Sequence, residues 1–185
     1  MLITPPRPLL HRLGRHAAAR VASLAPFLSR LPPVPLAPLQ PILNRLLHHI
    51  LQRRPELANR LGDRIDSLFM IDATNLPMVL LLRINPAQPL LMAAHRHHCP
   101  EADAKVTGEL LMLMDMVDGR LDGDALFFNR ELAISGDTEA VVCLRNALDD
   151  LEGSILDDIA DFFGMPGRHA LKIMRRYRTT DVEVD

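Results

Sequence analysis

The sequence predicts an α+β fold: a small, largely antiparallel sheet packed by helices, preceded by a helical N-terminal extension. Three observations lead there. Apolar residues recur at helical spacing over the first sixty positions. Short apolar runs punctuated by Asn and Pro fill residues 63–94. Helical periodicity returns, with capping residues, from about residue 137 onward.

At the N-terminus, Leu10, Leu13, Ala17, Val21, Leu24 and Leu28 recur every three or four residues, the pattern of an amphipathic helix. Pro26 should end or kink it. The proline-dense stretch from Leu31 to Pro41 is a stiff, extended connector. Pro41 then suits the first turn of a second helix, where a backbone N–H would be unpaired anyway. That helix carries Leu39, Ile42, Leu43, Leu46, Leu47, Ile50 and Leu51 on a broad apolar face.

From about Asp63 the pattern changes. Ile65–Ile71, Met78–Ile84 and Leu90–Ala94 read as strands, bounded by Asn75, Pro77, Asn85, Pro86 and Pro89. A further strand is expected within Asp103–Gly108, then a helix over Glu109–Val117 broken by Gly119 and Gly123. Ala125–Phe128 is expected to form a turn of helix and Glu131–Ser135 to return to strand. Asp137 or Thr138 caps a helix with a Val141, Leu144, Leu148, Leu151 stripe that Gly153 ends. Ser154 and Asp157 resemble a capping box for a last helix facing inward through Ile155, Ile159, Phe162 and Phe163. Gly164, Pro166 and Gly167 should stop it, leaving a basic C-terminal segment. The expected units are therefore an extension over 1–60, a central domain over 61–165 and a basic helix or tail over 166–185.

Composition narrows the function. Hydrophobic residues make up 48% of the chain but aromatic residues only 4%, so Leu, Met, Ile and Val form the interior. Such an interior is deformable and serves equally as an ordinary core or as the wall of a cavity for an aliphatic ligand. The net charge of −2 conceals an asymmetry: residues 1–60 hold nine arginines and one acid, Glu56. This points to an anionic partner. A lipid surface fits better than nucleic acid, which is not expected as a partner, since the arm offers no zinc-finger spacing and Phe27 alone for stacking on bases. Arg12, Arg15, Arg20 and Arg30 are the candidates for contact with a lipid surface, set against a reading in which the leucine stripes simply pack on protein. No apolar run approaches the roughly 18 residues of a membrane-spanning helix. Cys99 and Cys143 make no disulfide framework, which points to a reducing compartment, and the Arg-rich, acid-free first thirty residues are also compatible with a mitochondrial transit peptide.

The stretch from Leu121 to Asp150 carries a specific pattern: Leu126-Phe127-Phe128, the basic Arg130, a short strand Leu132–Ser135, then Gly136-Asp137-Thr138-Glu139 opening a helix. It resembles the signature of the UbiT-type accessory factors of ubiquinone biosynthesis, a branch of the sterol-carrier-protein type-two fold. Ala102–Gly108 is similar to a strand shared more widely by sterol-carrier-type domains, and the Leu-Pro-Pro-Val-Pro segment before an apolar helix also looks like UbiT. The resemblance implies a non-catalytic lipid carrier whose sheet and helices surround an elongated apolar tunnel. It implies an isoprenoid quinone precursor or a phospholipid as ligand and no cofactor. It further implies a role in oxygen-independent ubiquinone assembly alongside UbiU, UbiV and other proteins of that pathway, in the cytoplasm or peripherally at the inner membrane.

The expected cavity wall comprises Phe69, Leu81, Leu110, Leu113, Met114, Val117, Leu126, Phe127, Phe128 and Ile134. Within it, Leu110–Val117 is apolar almost all round, which suits either a helix buried on both faces or one lining a cavity. Met112, Met114 and Met116 supply flexible side chains. Gly136–Glu139 reads more simply as a turn and helix cap. A generic carrier of sterol, fatty-acyl or phospholipid ligands is the alternative.

Other constellations carry less. His95, His97, His98 and Cys99 are good zinc ligands by type and motivate a metal-dependent enzyme as a third reading. Adjacent ligands in one loop seldom converge on one ion, and no second cluster completes a tetrahedral set, so no metal is expected. Asp118–Asp124 mimics part of a calcium loop, but Arg120 and Asn129 occupy positions that need acids. Neither a nucleophile–base arrangement nor a phosphate-binding glycine loop is present.

Overall fold

The structure, a computed structural model, describes residues 36–118 and 132–182, with side chains through Arg176. The N-terminal helical stripe with Arg12, Arg15, Arg20 and Arg30 lies outside the described residues, as do Leu126, Phe127 and Phe128. Helices α1 (Gln40–Arg53) and α2 (Pro55–Leu61) lead through a 3₁₀ turn (Gly62–Arg64) into strands β1 (Phe69–Ala73), β2 (Val79–Arg83) and β3 (Leu90–Ala94). Strand β4 (Ala104–Gly108), helix α3 (Leu110–Val117), strand β5 (Ala133–Gly136), and helices α4 (Thr138–Asp149), α5 (Ile155–Phe162) and α6 (Gly164–Val182) follow.

The strands form one sheet in the order β3-β2-β1-β4-β5. β1–β2, β2–β3 and β4–β5 are antiparallel and β1–β4 is parallel, so the sheet is largely antiparallel as expected. Short turns join β1 to β2 and β2 to β3, which permits the antiparallel pairs, while β4 reaches β1 only through a longer connection. Register puts Phe69 opposite Leu82, Ile71 opposite Leu80, Leu82 opposite Leu91 and Leu80 opposite Ala93. Since side chains alternate between faces, these residues share one side of the sheet with Ala104 and Val106.

The helices cover that side. Leu43, Leu46, Leu47 and Ile50 of α1, Leu57, Ala58 and Leu61 of α2, and Val141, Leu144 and Ala147 of α4 join Phe69, Ala73, Ala93, Ala104 and Val106 in one buried cluster. The core therefore runs without interruption across residue 60. Pro41 and Pro55 each stand in the first turn of a helix, and Gln40 Nε2 donates to Ala93 O at 2.7 Å, tying the start of α1 to edge strand β3. Met70, Val79, Leu81 and Ala94 point to the other face, where they form a smaller cluster.

Three expectations are corrected. β1 begins at Phe69 rather than Ile65, because Gly62–Arg64 continues the helical chain in a 3₁₀ turn. Phe163 is not inward-facing; it stays 46% exposed beyond the end of α5. Pro166 and Gly167 do not terminate structure but lie in the first turn of α6, where proline loses no hydrogen bond. Gly164, with φ +66°, makes the corner between α5 and α6. A Cβ on Gly167 would run into Ala160 O and Phe163 Cβ, so glycine there lets α6 approach the end of α5 closely.

Candidate lipid-binding site

Helix α3 stands at the centre of the expected site, and its ends are fixed by residues far away in sequence. At its start, the N–H of Leu110 donates to Asn75 Oδ1 at 3.1 Å, and the N–H of Thr74 donates to Gly108 O at 2.9 Å. The β1–β2 turn thus supplies the cap that Glu109, with no side-chain cap bond of its own, does not. At its end, Asp118 accepts a hydrogen bond from Ser154 Oγ and lies 3.7 Å from the Arg175 guanidinium. The Asp157 hydrogen bond raises the Arg175 pKa, burial opposes it, and Asp118 adds to the rise, so the guanidinium stays charged.

Between those anchors, Asp115 is the one ionisable residue of α3. Leu113 and Met116 are buried in the main cluster, and Leu110, Met112 and Val117 pack against it half-buried. Met114 and Val117 also pack on a further cluster of Leu156, Ala160 and Leu171 from α5 and α6. The helix is therefore a wall between two apolar regions, one against the sheet and one against the C-terminal helix pair.

The family model described as the SCP-2 sterol transfer family matches residues 43–149, from the first turns of α1 to the end of α4. That is more than half of the chain. The chain belongs to the SCP-2 sterol transfer family. Among solved structures, one titled UbiJ-SCP2 ubiquinone synthesis protein is similar at 21% identity and TM-score 0.47, over 65% of this chain and 94% of that one. The sterol carrier protein 2 of Yarrowia lipolytica (apo form) is similar at 12% identity and TM-score 0.42, over 58% of this chain and 86% of that one. Sterol carrier protein domain 2 of Helicoverpa armigera gives 13% identity and TM-score 0.42, over 60% and 89%. A search of curated proteins returned no match. The family assignment rests on the family model.

Within this SCP-2 domain the expected cavity residues divide. Phe69, Leu110, Leu113, Val117 and Ile134 come together in or against the main cluster. Met114 faces the α5–α6 cluster, and Leu81 lies on the opposite face of the sheet with Met70 and Val79. A groove of about 310 Å³ opens between α5 and α6, lined by Ala160 and Leu171 of the α5–α6 cluster together with Asp157, Asp161, Arg168, Lys172 and Arg175. Its charged lining is largely internally paired, Arg168 with Asp161 and Arg175 with Asp157, each at 2.7 Å.

The Gly136–Glu139 segment has a structural job. Gly136 adopts φ +78° and lies so close to Asp103 O that a side chain would clash. Asp137 donates its N–H to that same oxygen at 2.8 Å, and its side chain accepts from Ala140 N at 3.0 Å as the cap of α4. Arg64 pairs with both Asp137 and Glu139, joining the cap to the turn after α2.

On the sheet's other face, Asp72 is 4% exposed and pairs with Arg96 and Lys105, each at 2.8 Å. Burial pushes its carboxyl pKa up, but the hydrogen bonds and charges of Arg96 and Lys105 outweigh that and hold it below the ordinary value. Arg96 also donates to Ala73 O and Leu76 O at 3.2 and 3.0 Å, bracing the turn that carries Asn75. Within His95–Cys99, Arg96 makes these polar contacts and Cys99 packs against the Met70, Val79, Leu81 and Ala94 cluster. Among the described residues, no group of three or more His, Cys, Asp or Glu side chains gathers to hold a metal. Nor is any helix among them long and apolar enough to cross a membrane.

Proposed function

We propose that this protein is a non-catalytic lipid-binding accessory factor of ubiquinone biosynthesis, acting in the oxygen-independent branch. The observation that carries the lipid reading is α3: seven apolar residues of eight, anchored at both ends by polar contacts and walled between two apolar clusters in an SCP-2 domain. A ligand chain lying along it would displace soft methionine and leucine contacts rather than hydrogen bonds. The Leu126–Glu139 pattern and its resemblance to UbiT support the pathway, with an isoprenoid quinone precursor or a phospholipid as cargo and UbiU and UbiV as partners. The basic arm with Arg12, Arg15, Arg20 and Arg30 would bring the carrier to the inner membrane from the cytoplasm, so that an insoluble cargo enters without crossing water.

Extraction of lipid from the purified full chain, with identification by mass, tests the proposal. A prenylated quinone precursor or a phospholipid is the expected cargo. A sterol or fatty acid instead would favour the generic carrier that the family's description, sterol transfer, equally fits.

A further inference from the structure

Outside the domain matched by the family model, the α5–α6 corner exposes an unusual amount of apolar surface. Phe163 is 46% exposed, Met165 73% and Ile173 49%. Ile42, near the start of α1, is 40% exposed. Arg53 pairs with Asp158 at 3.0 Å and the His49 ring meets Phe162 at 5.5 Å, so α1 and α5 run antiparallel. Ile42, two turns before His49, consequently lies toward the Phe163–Met165 end of that pair.

The cation on the outer face of α6 is Lys172, exposed beside Ile173. Met165, His169, Lys172 and Ile173 fall on one face of α6 by helical spacing, and all four are exposed. No Asp or Glu occurs between Asp161 and Asp181. The acids nearest to α6 are engaged with its other edge, Asp161 with Arg168 and Asp157 with Arg175. Arg45 adds an exposed cation on α1. Gly164 sets the turn of this corner, and Gly167 lets α6 pass close to Ala160.

Resting on the carrier reading, we propose that this corner, formed by the α5–α6 junction, the outer face of α6 and the start of α1, is a docking surface for an anionic lipid bilayer. Apolar side chains interleaved with cations on one helix face match a bilayer interface, where the apolar groups leave water and the cations meet lipid phosphates. A soluble protein partner would not require every charge on the face to be positive. The opposite side of α6 carries Leu171, in the cluster that receives Met114 and Val117 of α3. Docking by this corner would therefore place the candidate cavity wall one helix away from the membrane.

The test uses the full chain and two vesicle types, phosphatidylcholine alone and phosphatidylcholine with phosphatidylglycerol, in a sedimentation assay at low and high salt. The parent should bind the anionic vesicles, more weakly at high salt. Met165→Asp combined with Lys172→Glu should weaken that binding by roughly tenfold or more, given the interfacial value of each basic residue. Lys172→Arg should bind like the parent, and circular dichroism and co-purified lipid should be unchanged in all three. Failure of the parent to bind, or equal binding by the double variant, overturns the proposal. So does a loss of binding confined to charge reversal of Arg12, Arg15, Arg20 and Arg30. A change of oligomeric state in the double variant with vesicle binding intact would assign the corner to a second copy and overturn it too. Absence of co-purified lipid would defeat the carrier reading while leaving the vesicle result to stand on its own.

Discussion

On the helix-covered face of the sheet, Phe69, Ala93, Ala104 and Val106 disappear into one cluster shared with α1, α2, α3 and α4. On the opposite face, among the described residues, Met70, Val79, Leu81 and Ala94 form a cluster of four buried residues beside the Asp72, Arg96 and Lys105 ion pairs. The first face is closed by whole helices and has α3 as a deformable wall. The second is closed in part by the turn after β3, which a single arginine holds down through Asp72 Oδ1, Ala73 O and Leu76 O. The difference teaches where a lipid can go. Displacing the side chains along α3 exchanges apolar contacts for apolar contacts, whereas opening the other face would strip partners from the buried Asp72 carboxylate.

Core truncations should show the largest contrast. Phe69→Ala removes a nearly fully buried ring and should cost about 3–5 kcal/mol, while Leu81→Ala should cost about 2–3 kcal/mol in its smaller cluster. Urea unfolding of both variants measures this, and equal losses would mean that the two faces are packed alike.

The next effect is smaller and depends on pH. Asp72 has a folded pKa below its ordinary value, so the unfolded chain takes up the proton first as pH falls. Its stabilisation is fully present above about pH 4, near the usual carboxylate pKa, and is lost as pH falls through the folded value. Asp72→Asn should therefore lower stability at pH 7 by about 1–3 kcal/mol, leaving Arg96 and Lys105 without their carboxylate. Its penalty should shrink toward pH 3. A penalty independent of pH would show that the ion pairs do not drive it.

The smallest effect belongs to the neighbours of Arg96. His97→Ala with His98→Ala should change stability by less than about 0.5 kcal/mol, since both are exposed, and should leave metal content unchanged. Stoichiometric zinc lost on that substitution would return the second face to consideration as a metal site.

Much of this architecture was legible in the sequence because local chemistry and tertiary structure agree. Pro41, Asp137 and Ser154 mark helix starts, and Ala104–Gly108 and Leu90–Ala94 alternate or run apolar as strands do. Leu81 stands apart from the other expected wall residues for a physical reason. The run Met78–Leu82 is apolar at every position, so a period of two carries no information about which residue faces the helices. Arg96 was hidden for another: its partner, Asp72, is 24 residues away on a different strand, and only an acid set within an apolar strand hints at it. Asn75 read as punctuation between strands, yet it caps α3 across 35 residues. Pro166 and Gly167 are ambiguous by nature, since the residues that end one helix also suit the first turn of the next.

Native mass spectrometry of the full chain, purified without added lipid, tests the central claim most directly. One lipid molecule per folded chain is the predicted result, with occupancy reduced when Met114→Trp overpacks the side of α3 that meets the Leu156, Ala160 and Leu171 cluster. A folded chain carrying no lipid, or a cargo whose occupancy ignores Met114→Trp and substitutions along the inner side of α3, would contradict it.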